Sequence, residues 1–99
     1  MTLEFTAAAV SDLQSIRTYT LEKWGPEQEE VYLDALWGKF GEIVADPGKC
    51  RFRNDLFQGC QIAAQGRHLI LFRMSGTILQ IVPILHSSMD LPRHVPRGL

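Results

Sequence analysis

Residues 66–90, GRHLILFRMSGTILQIVPILHSSMD, decide the fold. Two apolar runs, 69–72 and 78–85, flank Met74-Ser75-Gly76-Thr77, a short polar interval carrying the glycine that a tight reversal favours. The stretch is therefore predicted to be a β-hairpin. Its runs are rich in Ile, Leu and Val, side chains that suit a pleated and buried surface. Apolar residues fall on both parities, so both faces of the hairpin need cover. Helices from elsewhere in the chain can cover one face, and the other is expected to want a partner. Pro83 interrupts the second run; a proline cannot donate to a ladder, so it marks an edge, a bulge or an N–H turned away from its neighbour.

Outward from the hairpin, residues 60–65 read as a short strand joined to it by Gly66-Arg67. Residues 50–56 read as a strand or irregular arm bearing Arg51 and Arg53, followed by a turn near Gln58-Gly59. Further upstream lie two helices. Val10, Leu13, Ile16, Thr20 and Trp24 recur at spacings of three and four, an apolar stripe about four turns long that Gly25-Pro26 ends. Thr6 is a possible N-cap, and Ser11-Asp12-Leu13-Gln14 matches a capping box.

Pro26 suits the first turn of a second helix, where Glu27, Glu29 and Glu30 meet the positive end of the helix dipole. Tyr32, Leu36, Phe40 and Ile43 carry its stripe to Asp46-Pro47-Gly48. Gly38 and Gly41 weaken this helix and point to close packing on the first. Leu3-Glu4-Phe5-Thr6 alternates as a short edge strand does. The expected architecture is α+β: an N-terminal edge strand and an αα-hairpin packed on a twisted antiparallel sheet.

Ninety-nine residues, 45% hydrophobic and 21% charged, are expected to form one domain, 1–99, with a tail flexible from about residue 91. No apolar run approaches the roughly 18 residues of a membrane span, and no basic, apolar leader is evident, so a cytoplasmic protein is expected. Cys50 and Cys60 form no C-x-x-C motif and are expected to be reduced thiols; neither a metal site nor a cofactor is predicted. A net charge of −1 is poor for a protein that holds a phosphate backbone. The acids crowd the first half and the arginines the second, which is also what a solvated helix face beside a sheet rim looks like.

One combination of residues is more specific. Asp12-Leu13, Ile16, Tyr19-Thr20, Trp24-Gly25, Gln28, Tyr32, Leu36, Phe40 and Pro47 are followed by Arg51, Arg53, Asp55-Leu56, Gly59, Gly66-Arg67-His68 and Phe72-Arg73. The segment Ile84-Leu85-His86-Ser87-Ser88-Met89-Asp90 closes the set. Together these resemble the ParE branch of the RelE/ParE toxins of bacterial toxin–antitoxin modules. The resemblance implies the α+β fold already read from the residues, and a small antitoxin of the ParD kind as partner. For ParE-like members it implies DNA gyrase as the target, poisoned in its DNA-cleaved state; for RelE-like members, cleavage of ribosome-bound mRNA. One fold carries both, so the choice rests on residues.

Cutting RNA through its 2′-hydroxyl needs a base, a proton donor and cations for the developing charge. His68, His86, His94, Arg51, Arg53, Arg67 and Arg73 are the available groups. Relatives often carry a basic residue where this chain has Pro83, and another after Gly59, where it has Cys60-Gln61. That loss of charge argues against the nuclease and leaves open a decayed, non-toxic relative that only tunes its operon. The expected function is gyrase inhibition without catalytic residues. Arg67, His68, Arg73, His86, Met89, Asp90, Arg93 and His94 are expected to face the target. Trp24, Tyr32, Leu36, Phe40, Leu71 and Ile81 are expected to face the antitoxin.

Overall fold

The hairpin forms as a pair of long strands, β4 (His68–Ser75) and β5 (Ile78–His86), joined by a two-residue turn with Ser75 opposite Ile78. Gly76 takes φ 60°, the positive value that the first position of a II′ turn demands. These elements belong to a computed structural model that describes residues 2–95. Before the hairpin come β1 (Thr2–Phe5), α1 (Ala7–Trp24), α2 (Pro26–Ala45), a 3-10 turn (Pro47–Lys49), β2 (Arg51–Phe52) and β3 (Gln61–Gln65). One turn of helix, α3 (Leu91–His94), follows it. No helix among the described residues is long and apolar enough to cross a membrane.

The sheet order is β1-β5-β4-β3-β2. β2 to β5 pair antiparallel as expected, but β1 lies parallel to β5, Thr2 beside Ile78 and Phe5 beside Ile81. The sheet is therefore mixed. A parallel pair needs a long crossover, and the two helices and the meander between β1 and β5 supply one.

Pro83 marks a β-bulge. Ile70 pairs with Ile84 and Phe72 with Ile81, so Leu71 alone faces Val82 and Pro83. The bulge shifts the parity of β5: Leu79 and Ile81 point to the helices before it, and Ile84 points there after it. That shift is one reason both parities of this run are apolar. Two side chains near the start of α1 hold the irregular backbone. Thr6 Oγ1 donates to Val82 O, and Asp12 Oδ2 accepts from the Ile84 N–H at 2.9 Å. Thr6 is also the N-cap, accepting from Ala9 N at 3.1 Å. The capping-box match at residues 11–14 falls in the first turns of α1, where the Asp12 carboxylate turns to the sheet.

On the helix face, Ala9, Ile16, Leu36, Phe40 and Ile43 pack against Ala63, Ile70, Phe72, Leu79, Ile81 and Ile84. The opposite face carries Ile62, Leu71, Val82 and Leu85. It is not left open: Leu56, Phe57 and Cys60 cover it from the β2–β3 loop, and Leu91 and Val95 from the C-terminal segment. The expected vacancy is filled by the chain itself, and the tail expected to be flexible from about 91 is packed through Val95; residues 96–99 lie outside the described residues.

Two further expectations are corrected. Val10, read as part of the apolar stripe, is exposed, because the inner stripe of α1 is Ala9, Leu13, Ile16 and Thr20. Trp24 stands outside that core, 57% exposed, and Trp37 on α2 caps the edges of Phe5 and Phe40 from outside. Gly38 and Gly41 lie on the outer side of α2, where an added Cβ would meet nothing within 4 Å.

Candidate functional site

A groove of about 970 Å³ runs between α1, the first turns of α2, the β3–β4 turn and the end of β5. Its polar floor is built on Gly66. The turn Gly66-Arg67 joins Gln65 to His68, and Gly66 takes φ 58°. Tyr32 from α2 presses on this turn so closely that a Cβ at Gly66 would stand 2.8 Å from its hydroxyl oxygen. The close approach lets Tyr32 Oη accept the Arg67 N–H at 3.1 Å and sit 2.5 Å from His68 Nδ1.

His68 and His86 are direct cross-strand partners, with ring centroids 5.4 Å apart. His86 Nδ1 accepts from the Ser88 N–H at 3.1 Å and lies 2.7 Å from Ser88 Oγ. Burial, and then the neighbouring His86, hold the His68 pKa below its ordinary value. Burial also raises the pKa of Asp12, against the opposing pull of the Ile84 N–H. The remaining walls are largely apolar or aromatic: Ile16, Tyr19, Trp24, Ile84 and Met89.

Tyr32 Oη accepts from Arg67 N and shares a hydrogen bond with His68 Nδ1 at 2.5 Å, with Gln65 O a second acceptor for its proton at 3.4 Å. His86 Nδ1 accepts from the Ser88 N–H. In a neutral imidazole the nitrogen that does not accept carries the hydrogen. His86 therefore has Nε2–H left to donate to a ligand, and the Nδ1 atoms of both rings are engaged within the protein. Among the described residues no three His, Cys, Asp or Glu side chains gather as a metal site would require.

Of the residues expected to face the target, Arg67, His68, His86 and Met89 line the groove, and so do Trp24 and Tyr32 from the antitoxin set. The others are elsewhere. Arg73 occupies the opposite face of the sheet, where its Nε donates to Gln80 at 2.9 Å and Gln80 in turn donates to Glu4 at 3.0 Å. Asp90, Arg93 and His94 are exposed beyond the groove, with Asp90 and Arg93 paired at 3.4 Å. Leu36, Phe40 and Ile81 are buried in the helix-face core and Leu71 in the second. These four have no surface to offer an antitoxin, because their side chains are what holds the layers together.

Gln61 and Pro83, where the resemblance led a basic residue to be expected, are also interior. Gln61 is buried and donates to Pro47 O at 2.7 Å and Cys50 O at 3.2 Å, tying down the 3-10 turn, while Pro83 fills the bulge. Arg53 is held by both oxygens of Asp55 at 2.9 Å, which raises the Arg53 pKa and lowers that of Asp55. Both cysteines are free, and burial pushes Cys60 up to about 11.

Asp12, Ser15, Tyr19, Thr20, Gln28, Gly66 and Ser88 also belong to the lining and were not assigned to a site from the sequence. A signal existed for α1, where Asp12, Ser15, Ile16 and Tyr19 share one helical face beside the core stripe.

Comparison with known proteins agrees with this geometry. The family described as "ParE toxin of type II toxin-antitoxin system, parDE" matches residues 3–91. Toxin ParE1 of Caulobacter vibrioides is 32% identical over 87 residues, covering 88% of this chain and 90% of that protein. Toxin ParE1 of Mycobacterium tuberculosis is 29% identical over 89 residues, covering 89% and 91%. Among solved structures, the chromosomal ParDE toxin–antitoxin system from P. aeruginosa superposes with a TM-score of 0.75 at 20% identity, over 87% of this chain and 95% of the other. The toxin–antitoxin complex RelBE2 from Mycobacterium tuberculosis gives 0.60 at 22% identity, over 86% and 95%. At those identities the two structures speak for the fold. The family match and the Caulobacter relative speak for more: this chain belongs to the ParE toxins of type II toxin–antitoxin systems.

Proposed function

We propose that this chain acts in the cytoplasm without chemistry of its own, binding DNA gyrase and holding it in the DNA-cleaved state, and that a ParD-like antitoxin neutralises it from the groove. The observation that carries this reading is the ParE family match across residues 3–91. The groove's chemistry supports it. A 2′-hydroxyl has to give its proton to a free base, and the basic nitrogen of His86 is already used on the Ser88 N–H, while the Nδ1 of His68 is engaged by Tyr32. Arg73 and Arg53, two of the cations a nuclease would draw on, are engaged elsewhere by Gln80 and Asp55.

The groove also gives neutralisation a simple form. Trp24 and Tyr32 line it together with Arg67, His68, His86 and Met89, so a single segment lying there covers residues expected to serve both partners.

The test is a supercoiling assay with purified gyrase, relaxed plasmid, ATP and rising amounts of this protein. Loss of supercoiling with protein-linked, cut DNA, reversed by antitoxin, is the expected result. No effect from folded protein at high excess overturns the gyrase reading. Cleavage of ribosome-bound mRNA that disappears on substituting His68 or His86 would replace it with an enzyme.

A further inference from the structure

The groove floor brings two imidazoles and a guanidinium together. His86 presents Nε2–H, because the Ser88 N–H occupies its other nitrogen, and His68 lies beside it with Nδ1 held by Tyr32. Arg67 stands beside them on the turn and forms no ion pair among the described residues. The carboxylate that lines the groove, Asp12, is bound through Oδ2 to the Ile84 N–H at 2.9 Å.

We propose that the groove is a site for a carboxylate carried on an apolar peptide segment, received by the His86 Nε2–H, the adjoining His68 ring and the Arg67 guanidinium, with Tyr19, Trp24 and Met89 packing on the segment around it. The occupant is an acidic residue among large apolar ones on a segment of the antitoxin; this much rests on the functional reading above. Charge-assisted hydrogen bonds to a partly buried carboxylate are the stronger kind. A phosphodiester would use the same donors, but one guanidinium and walls of indole, phenol and thioether suit a single negative charge on an otherwise apolar ligand.

The experiment is an NMR titration of the full chain, following the imidazole resonances of His68 and His86, with 2-naphthoate and with 2-naphthamide. The two probes share a ring system and differ in charge. Naphthoate is expected to shift both imidazoles and to bind at least tenfold more tightly than the amide, about 1.4 kcal/mol. Arg67→Gln, at an exposed turn position, should remove most of that preference. His86→Gln should weaken naphthoate binding.

Equal binding of the two probes, or imidazoles unmoved by millimolar naphthoate, overturns the site. So does inorganic phosphate acting at lower concentration than naphthoate, which would make the floor a phosphate site. Purified antitoxin should displace naphthoate. An antitoxin that binds the chain yet leaves naphthoate in place overturns the occupant while the antitoxin reading itself survives, so the two failures are distinct.

Discussion

The two faces of the sheet are covered by different means. One lies under two long helices, whose Ala9, Ile16, Leu36, Phe40 and Ile43 make a continuous core with all the principal strands. The other lies under a loop and one turn of helix, held by a smaller cluster around Leu71, Val82 and Leu85. The first cover is regular and cooperative; the second is a few side chains on irregular backbone, and such cover opens locally at lower free energy. The candidate groove sits on the first face, at its rim, and so on the better-braced layer.

Adjacent residues of β4 test that contrast most strongly. Ile70 and Leu71 are both fully buried and point to opposite faces. Ile70→Ala is expected to destabilise by about 4 kcal/mol and Leu71→Ala by about 2–3 kcal/mol, because the thinner cover can collapse into the space it leaves. Urea unfolding measures both; equal losses would mean that the second face is braced as firmly as the first.

The two glycine turns sharpen the comparison at the groove. Gly66→Ala combines a positive φ with a clash against Tyr32 and is expected to lose about 2–3 kcal/mol and displace Tyr32 from His68. Gly76→Ala has the same backbone demand and open space, and should lose about 1 kcal/mol. Matching losses would show that the helix layer does not clamp the β3–β4 turn.

Removing residues 90–99 should weaken the fold by about 2 kcal/mol, since a fully buried aliphatic contributes roughly 1.5–3 kcal/mol and Leu91 and Val95 are only partly buried. The truncated chain is expected to keep its helical circular dichroism and to bind a hydrophobic dye on the uncovered face. Loss of toxicity in such a truncation would then reflect an opened core as well as missing target contacts.

The smallest effect is a pH dependence confined to the helix face. The folded chain keeps His68 neutral below its ordinary pKa of 6.5, while the unfolded chain takes up a proton there. Stability should be complete above about pH 6.5 and fall as pH drops toward the folded value. The ring is half-exposed, so the slope should be a fraction of the roughly 1.4 kcal/mol per pH unit available to one proton. His68→Gln should flatten this part of the profile. An unchanged profile would mean that burial and the neighbouring His86 do not perturb the ring.

Much of this molecule was legible in its residues. The hairpin, both helix stops and the Thr6 cap follow from turn chemistry and periodicity, which act between neighbours in the chain. The family too was legible, in short motifs spread from Asp12 to Asp90. What the residues misplaced depends on which side of a strand a residue ends up. Leu36, Phe40, Leu71 and Ile81 were assigned to a partner although the core claims them, and Arg73 was grouped with His68 although five residues of strand put it on the opposite face.

Sequence by itself determined the elements, their order and the family, because each rests on local spacing. Only the tertiary structure decided the groove and the covering of the second face. Tyr32 meets His68 across 36 residues and Asp12 meets Ile84 across 72. Contacts at that range arise from how layers stack and where a bulge shifts the register, and no local pattern encodes either.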